Sequence, residues 1–145
     1  MESIECQMIE GGTGDFILVR GKHQPVLTAE VEKRPTRAGA KKQDEPYYKP
    51  GADPVEFKKG GRINWFGRDP EWKDMVGFRG KRDVEQANDW NDLECVCNGD
   101  SIVNVLNGAI VNAGTGASHT KGKILFQSEG AELFFRRIEL VPLKK

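Results

Sequence analysis

Apolar and polar positions alternate along much of this chain, and turn-forming residues interrupt the alternation at short intervals. Over residues 3–9, Ile4, Cys6 and Met8 keep step with one another while Glu5 and Gln7 fall between them. This period of two marks a strand with one polar face. Gly11, Gly12 and Gly14 then make a turn into Phe16-Ile17-Leu18-Val19, a short apolar run suited to a strand covered on both faces. Residues 26–31 read as a further strand. From residue 93 the signal strengthens, with β-type runs at 93–97, 102–106, 110–112, 124–127 and 133–140 separated by turn signals. The sharpest is Asn107-Gly108, since a two-residue type I′ turn needs positive φ at both central positions, and this pair reaches it at little cost. The pattern predicts a meander of antiparallel strands. In 133–140 the parity slips, because Ile138 and Leu140 are out of step with Leu133 and Phe135, and a bulge at Arg136-Arg137 would reconcile the two halves.

Between these runs the pattern fades. Residues 34–54 contain Pro35, Pro46, Pro50 and Pro54 and read as a long loop, with Tyr47 and Tyr48 as either sugar-stacking platforms or anchors pinning the loop to the body. Residues 62–85 form a second loop-rich region, in which Trp65, Phe66 and Trp72 make either a ligand platform or a satellite hydrophobic cluster.

Composition narrows the picture. A chain of 145 residues accommodates one domain, 1–145, with a two-layer core, and 17 Gly and 7 Pro among short β-type runs point to an all-β class. Basic and acidic residues balance at 22 each, which lacks the positive excess of a nucleic-acid binder. No apolar run is long enough to span a membrane as a helix, and the first residues lack the core of a signal peptide, so the chain as given reads as soluble. Cys6, Cys95 and Cys97 form no metal-ligand spacing and read as small apolar core residues, so neither a metal nor another cofactor is expected. Gly11 to Gly14 lacks the Lys-Ser/Thr and the helix of a phosphate loop.

The ordered set Trp90-Asn91, Glu94, Val96-Cys97, Gly99-Asp100, Ile102, Leu106-Asn107-Gly108 and Val111-Asn112 continues into Gly122-Lys123-Ile124 and residues 125–140. With residues 3–7 and Thr13-Gly14-Asp15-Phe16 upstream, it resembles the bacterial 3-keto-disaccharide hydrolase domain family. The resemblance implies an antiparallel two-sheet jelly-roll of the concanavalin-like kind. Family domains carry several strands before the one matching 3–7, so the sandwich is expected to be incomplete at that side. The unpaired edge left there would be covered by a second copy, giving a homodimer or higher oligomer. Family members are often exported to the bacterial periplasm or beyond, and the compartment of this chain stays open.

Polar residues projecting from neighbouring strands are what a concave sugar-binding face requires, and Glu5, Gln7, Asn104, Gln127 and Glu129 are candidates, though by the residues alone solvated strand positions and a hairpin role for Asn104 are the commoner explanation. The resemblance tips the choice towards a carbohydrate site and an enzyme. A carbonyl at C3 of a sugar makes the C2 hydrogen acidic and places the glycosidic oxygen β to the resulting carbanion. Proton abstraction expels the leaving group, and water adds back. This route needs a general base, expected in Glu5 or Glu129, donors to an enolate oxygen, expected in Arg79, Arg136 and Gln7 or Gln127, and an acid for the leaving group. His23 and His119 are alternative proton donors or plain surface residues. A non-catalytic carbohydrate-binding module is the alternative, and it requires Tyr47, Tyr48, Trp65 or Trp72 on the concave face.

Overall fold

The computed structural model describes residues 2–35, 44–68, 84–86, 89–128, 130 and 132–144. Among the described residues, nine strands run in chain order: β1 (Ser3–Cys6), β2 (Phe16–Val19), β3 (Leu27–Pro35), β4 (Asp44–Tyr48), β5 (Pro54–Phe57), β6 (Arg62–Ile63), β7 (Leu93–Asn98), β8 (Ser101–Leu106) and β9 (Ala109–Gly114). They form three antiparallel sheets ordered β1-β2-β6, β4-β3-β5 and β7-β8-β9. The first two are joined edge to edge. Asn64 N donates to Pro46 O at 2.9 Å and Tyr48 N to Asn64 O at 2.8 Å, so hydrogen bonding runs from β1 to β5 without a break. Pro46 sits within a strand because only its carbonyl is needed there; the missing N–H points to a gap in the bonding pattern. The long loop expected at 34–54 is therefore, in its described part, the β3–β4 pair and the start of β5.

One face of this joined layer is apolar. Phe16, Leu18, Leu27, Ala29, Val31 and Ile63 are buried together, with Ile4, Phe57 and Ile102 packed against them. The third sheet covers that face, and Trp65, Leu106 and Val111 make a second buried cluster beside Phe66, Val84 and Leu93. The result is an all-β antiparallel sandwich. Burial of this apolar surface is the main stabilising term, at about 25 cal/mol per Å². A bulge does occur, in β9 rather than at Arg136-Arg137. The register moves from Asn104↔Asn112 to Val105↔Ile110, and the extra residue lets both Val111 and Asn112 face inward.

Two expectations are corrected, and one pair of alternatives is decided. Residues 124–127 and 133–140 are not strands: Ile124, Phe134 and Leu140 are 71%, 73% and 83% exposed, and Phe126 meets Phe135 edge-on at 5.0 Å without a ladder. Alternation alone cannot hold two short strands that meet no sheet edge or apolar layer among the described residues. Cys95 and Cys97 are exposed and Cys6 is half-buried: Cys95 and Cys97 stand opposite Asn104 and Ile102 on the inward face, but β7 is the outer strand of its sheet and its edge leaves them open to solvent. Tyr47, Tyr48 and Trp65 lie in the core at 2%, 7% and 0% exposure, so they are not surface platforms. The Trp65 region is the satellite cluster.

Asn107 (φ 50°) and Gly108 (φ 81°) form the tight turn expected from the sequence. Gly14, at φ 96°, is more constrained, since a Cβ there would lie 2.4 Å from Val111 Cγ2. Gly14→Ala combines left-handed strain with a core clash and is expected to destabilise the fold by about 2–4 kcal/mol. Gly99→Ala, at φ 61° in open space, should cost only about 1 kcal/mol. Urea unfolding of the two variants tests the contrast.

Candidate functional site

The face of the joined layer turned away from the core is polar. Register sets Glu5 opposite Ile17 and Ile17 opposite Arg62, so these three side chains stand in a row across β1, β2 and β6. Two strand spacings separate the backbones of Glu5 and Arg62, roughly 10 Å. Gln7 continues the ladder beyond β1: its N–H donates to Asp15 O at 2.9 Å and its carbonyl accepts from Gly14 N at 2.8 Å. That places Gln7 on the same side as Glu5.

Asp15 holds this face together from beneath. Its carboxylate is fully buried and accepts from Arg62 Nε at 3.0 Å, Arg62 Nη2 at 2.6 Å, Trp65 N at 2.7 Å and Arg68 Nη1. Burial pushes the Asp15 carboxyl up from its ordinary range, while Arg62 and Arg68 pull it down. Among the described residues, the groups bonded to it are all donors, which favours the ionised form. Burial likewise lowers Arg68, opposed by Asp15. Nearby, Glu85 is 2% exposed and accepts from Gly11 N at 3.0 and 3.1 Å and from Thr13 Oγ1 at 2.7 Å. Trp65 Nε1 donates to Gly11 O at 3.0 Å, so both ends of the Gly11–Asp15 turn are tied down.

Beside Arg62 lies a cleft of about 230 Å³ lined by Asp44, Glu45, Pro46, Phe57, Gly60, Gly61, Arg62 and Asn64. Its two carboxylates, a guanidinium, an amide and the apolar Pro46 and Phe57 suit a polar ligand with one apolar face, and it has room for about one sugar ring. Asn64 Nδ2 donates to Glu45 Oε2 at 3.1 Å, orienting that carboxylate. A second cleft, about 240 Å³ between β3 and β9, has Glu30 as its one charged lining residue, and this carboxylate already accepts from Gly51 N at 2.7 Å. The first is continuous with the polar face and is the chemically better equipped.

The expected site residues fall in different places. Glu5 and Gln7 share the polar face. Asn104 is fully buried and donates to Gly14 O at 3.1 Å, where it braces the turn from the core side. Gln127 and Arg136 lie on the exposed C-terminal segment, with the Arg136 guanidinium 5.1 Å above the Trp90 ring. Glu129 and Arg79 lie outside the described residues. His119 pairs with Glu2 at 2.8 Å, and Glu2 also accepts from His23 N at 2.7 Å. Sequence reasoning passed over Asp15, Glu45, Arg62 and Asn64. Arg62 is part-exposed while Ile63, Asn64 and Trp65 are all buried, so alternation was an available signal for Arg62 alone.

Glu85 gives the site a pH signature. Burial raises its pKa above 4.5, ahead of the lowering by Thr13 and Gly11, so the folded chain holds this proton more tightly than the unfolded one. The associated stability is complete below 4.5 and is lost as pH rises through the raised value. Glu85→Gln keeps an acceptor oxygen without the charge. It is expected to flatten the fall in stability as pH rises above 4.5, measured by urea unfolding against the parent chain.

The family model for the 3-keto-alpha-glucoside-1,2-lyase-like domain matches residues 1–141. No curated protein and no solved structure matches the chain.

Proposed function

Because the chain belongs to the 3-keto-alpha-glucoside-1,2-lyase-like domain family, we propose that it breaks the glycosidic bond of a 3-keto-glycoside or 3-keto-disaccharide by base-initiated elimination followed by hydration. Membership places the chain in a glycoside-related family; the reaction and the roles below are our reading. The observation that carries it is the row Glu5, Ile17, Arg62 on one polar face, a carboxylate and a guanidinium with a small apolar floor between them.

In this reading the sugar ring lies over Ile17. Glu5 removes the C2 proton, and the C2–H electron pair moves towards the C3 carbonyl. Arg62, oriented by Asp15, donates to the enolate oxygen as charge develops there. Collapse of the enolate forms the C1–C2 double bond and expels the glycosidic oxygen, which takes a proton as it leaves. Glu129, the alternative base expected from the sequence, lies outside the described residues. Water then adds at C1 and a proton returns to C2, so the net change is hydrolysis. Gln7 supplies a further hydrogen bond to the ring, and Asp44 and Glu45 bind hydroxyls in the adjoining cleft. A sugar-binding module is less well supported, since Tyr47, Tyr48 and Trp65 are in the core and offer no stacking surface.

The test is release of glucose from 3-keto-trehalose or 3-keto-lactose. Glu5→Gln is expected to lower kcat by about 10²–10⁴ with the fold intact, and Arg62→Lys by about 10². In deuterated water, recovered substrate or product should carry deuterium at C2. Equal rates on the unoxidised disaccharides, or product without deuterium at C2, would exclude elimination.

A further inference from the structure

The three cysteines are not used by the proposed reaction, yet two of them meet across the layers. Cys6 closes β1, and Cys95 lies on β7 in the outer sheet. Cys95 stands opposite Asn104, and the Asn104 amide reaches Gly14 O at 3.1 Å. Gly14 N in turn donates to the carbonyl of Gln7, the residue after Cys6, at 2.8 Å. The end of β1 and the middle of β7 therefore converge on Gly14, and Cys6, opposite the buried Phe16, and Cys95, opposite the buried Asn104, both face into the space between the layers. Cys6 is half-buried, while Cys95 is exposed.

We propose that Cys6 and Cys95 form a reversible disulfide by exchange with a low-molecular-weight disulfide, Cys95 reacting first and Cys6 resolving. The proposal does not depend on the reaction assigned to the polar face. The Cys6 thiol beside it holds the Cys95 thiol below its ordinary pKa, which enriches the thiolate that does the attacking. The neighbouring sulfur and burial push Cys6 up, so it enters second, and burial with the nearby Cys95 raises Cys97. In the first step the Cys95 thiolate attacks one sulfur of R–S–S–R, forming a mixed disulfide and releasing R–S⁻. In the second, Cys6 gives its proton to that leaving thiolate and attacks the Cys95 sulfur, expelling the other R–S⁻, which takes the proton first lost by Cys95. Two protein thiols are oxidised and one external disulfide is reduced to two thiols. Cys97 is a poorer partner for Cys95, because residues two apart on one strand point the same way about 7 Å apart and cannot close an unstrained bond.

The bond would close a loop of about 90 residues and fasten the strand carrying Glu5 to the opposite sheet. The full chain is reduced, treated with oxidised glutathione, alkylated and mapped without reductant by mass spectrometry. A Cys6–Cys95 cross-linked peptide pair is expected, with Cys97 alkylated, together with a rise of about 10 °C in thermal midpoint that dithiothreitol reverses. Cys97→Ser should still cross-link. Cys6→Ser should stop at glutathione on Cys95. A Cys95–Cys97 linkage, an intermolecular bond, glutathione on Cys97 in the Cys6→Ser chain, or three alkylated cysteines would each overturn the proposal. Matching circular dichroism of the reduced chains confirms that the variants fold.

Discussion

The buried carboxylate of Asp15 is the constraint on which the rest of the structure leans. A charge removed from water is tolerated only when its hydrogen-bonding capacity is filled, and here Arg62, Arg68 and the Trp65 backbone fill it. The three donors come from a short strand and the loop that follows it, and the acceptor comes from the turn before β2. One side chain thus fastens the 62–68 segment to the β1–β2 hairpin, where β6 contributes only two residues of ladder. Removing one member of such a group leaves an uncompensated charge, at a cost of about 3–5 kcal/mol.

The Gly11–Asp15 turn is gripped from the other side as well. Asn104 and Asn112, opposite each other on β8 and β9, both donate to Gly14 O, and Asn112 also donates to Ile63 O at 2.9 Å. These buried amides span the two layers where apolar packing alone would leave the turn's carbonyl without a donor. The bulge in β9 matters for this reason: by turning Val111 and Asn112 inward together, it places one residue in the apolar cluster and the next in the polar bracing. Gly14 permits this close approach because its missing side chain leaves room for Val111.

The same bracing shapes the chemistry available on the polar face. Arg62 is fixed by Asp15 before any ligand arrives, and a preoriented guanidinium stabilises developing negative charge without reorganising. Glu5 sits one strand beyond Ile17 on a short strand whose exit is bonded into the Gly14 turn. The acidic cleft alongside is oriented by the Asn64–Glu45 hydrogen bond. A carboxylate, a preoriented guanidinium and a polar cleft are thus held by one continuous run of hydrogen-bonded strands.

Much of the layer was legible in the sequence, because a half-buried strand must alternate and a tight turn demands particular residues. β1, β2, β7, β8 and the Asn107-Gly108 turn follow from those local rules, as does the placement of Glu5 and Gln7 opposite the core residues of their strand. The prolines at 46 and 54 obscured β4 and β5, since whether a missing N–H matters depends on which neighbour the strand meets. Residues 124–140 fail in the opposite sense: they have the alternation, and no neighbouring edge takes it up within the described residues. Cys95 and Cys97 looked apolar enough for the core, yet lie on an outer strand. Asp15 and Arg62 are separated by 47 positions, and nothing local to either marks them as partners. The sequence by itself determined which side chains share a strand face, because that depends on backbone periodicity. Only the tertiary structure decided which faces meet, because burial and charge pairing depend on neighbours distant along the chain.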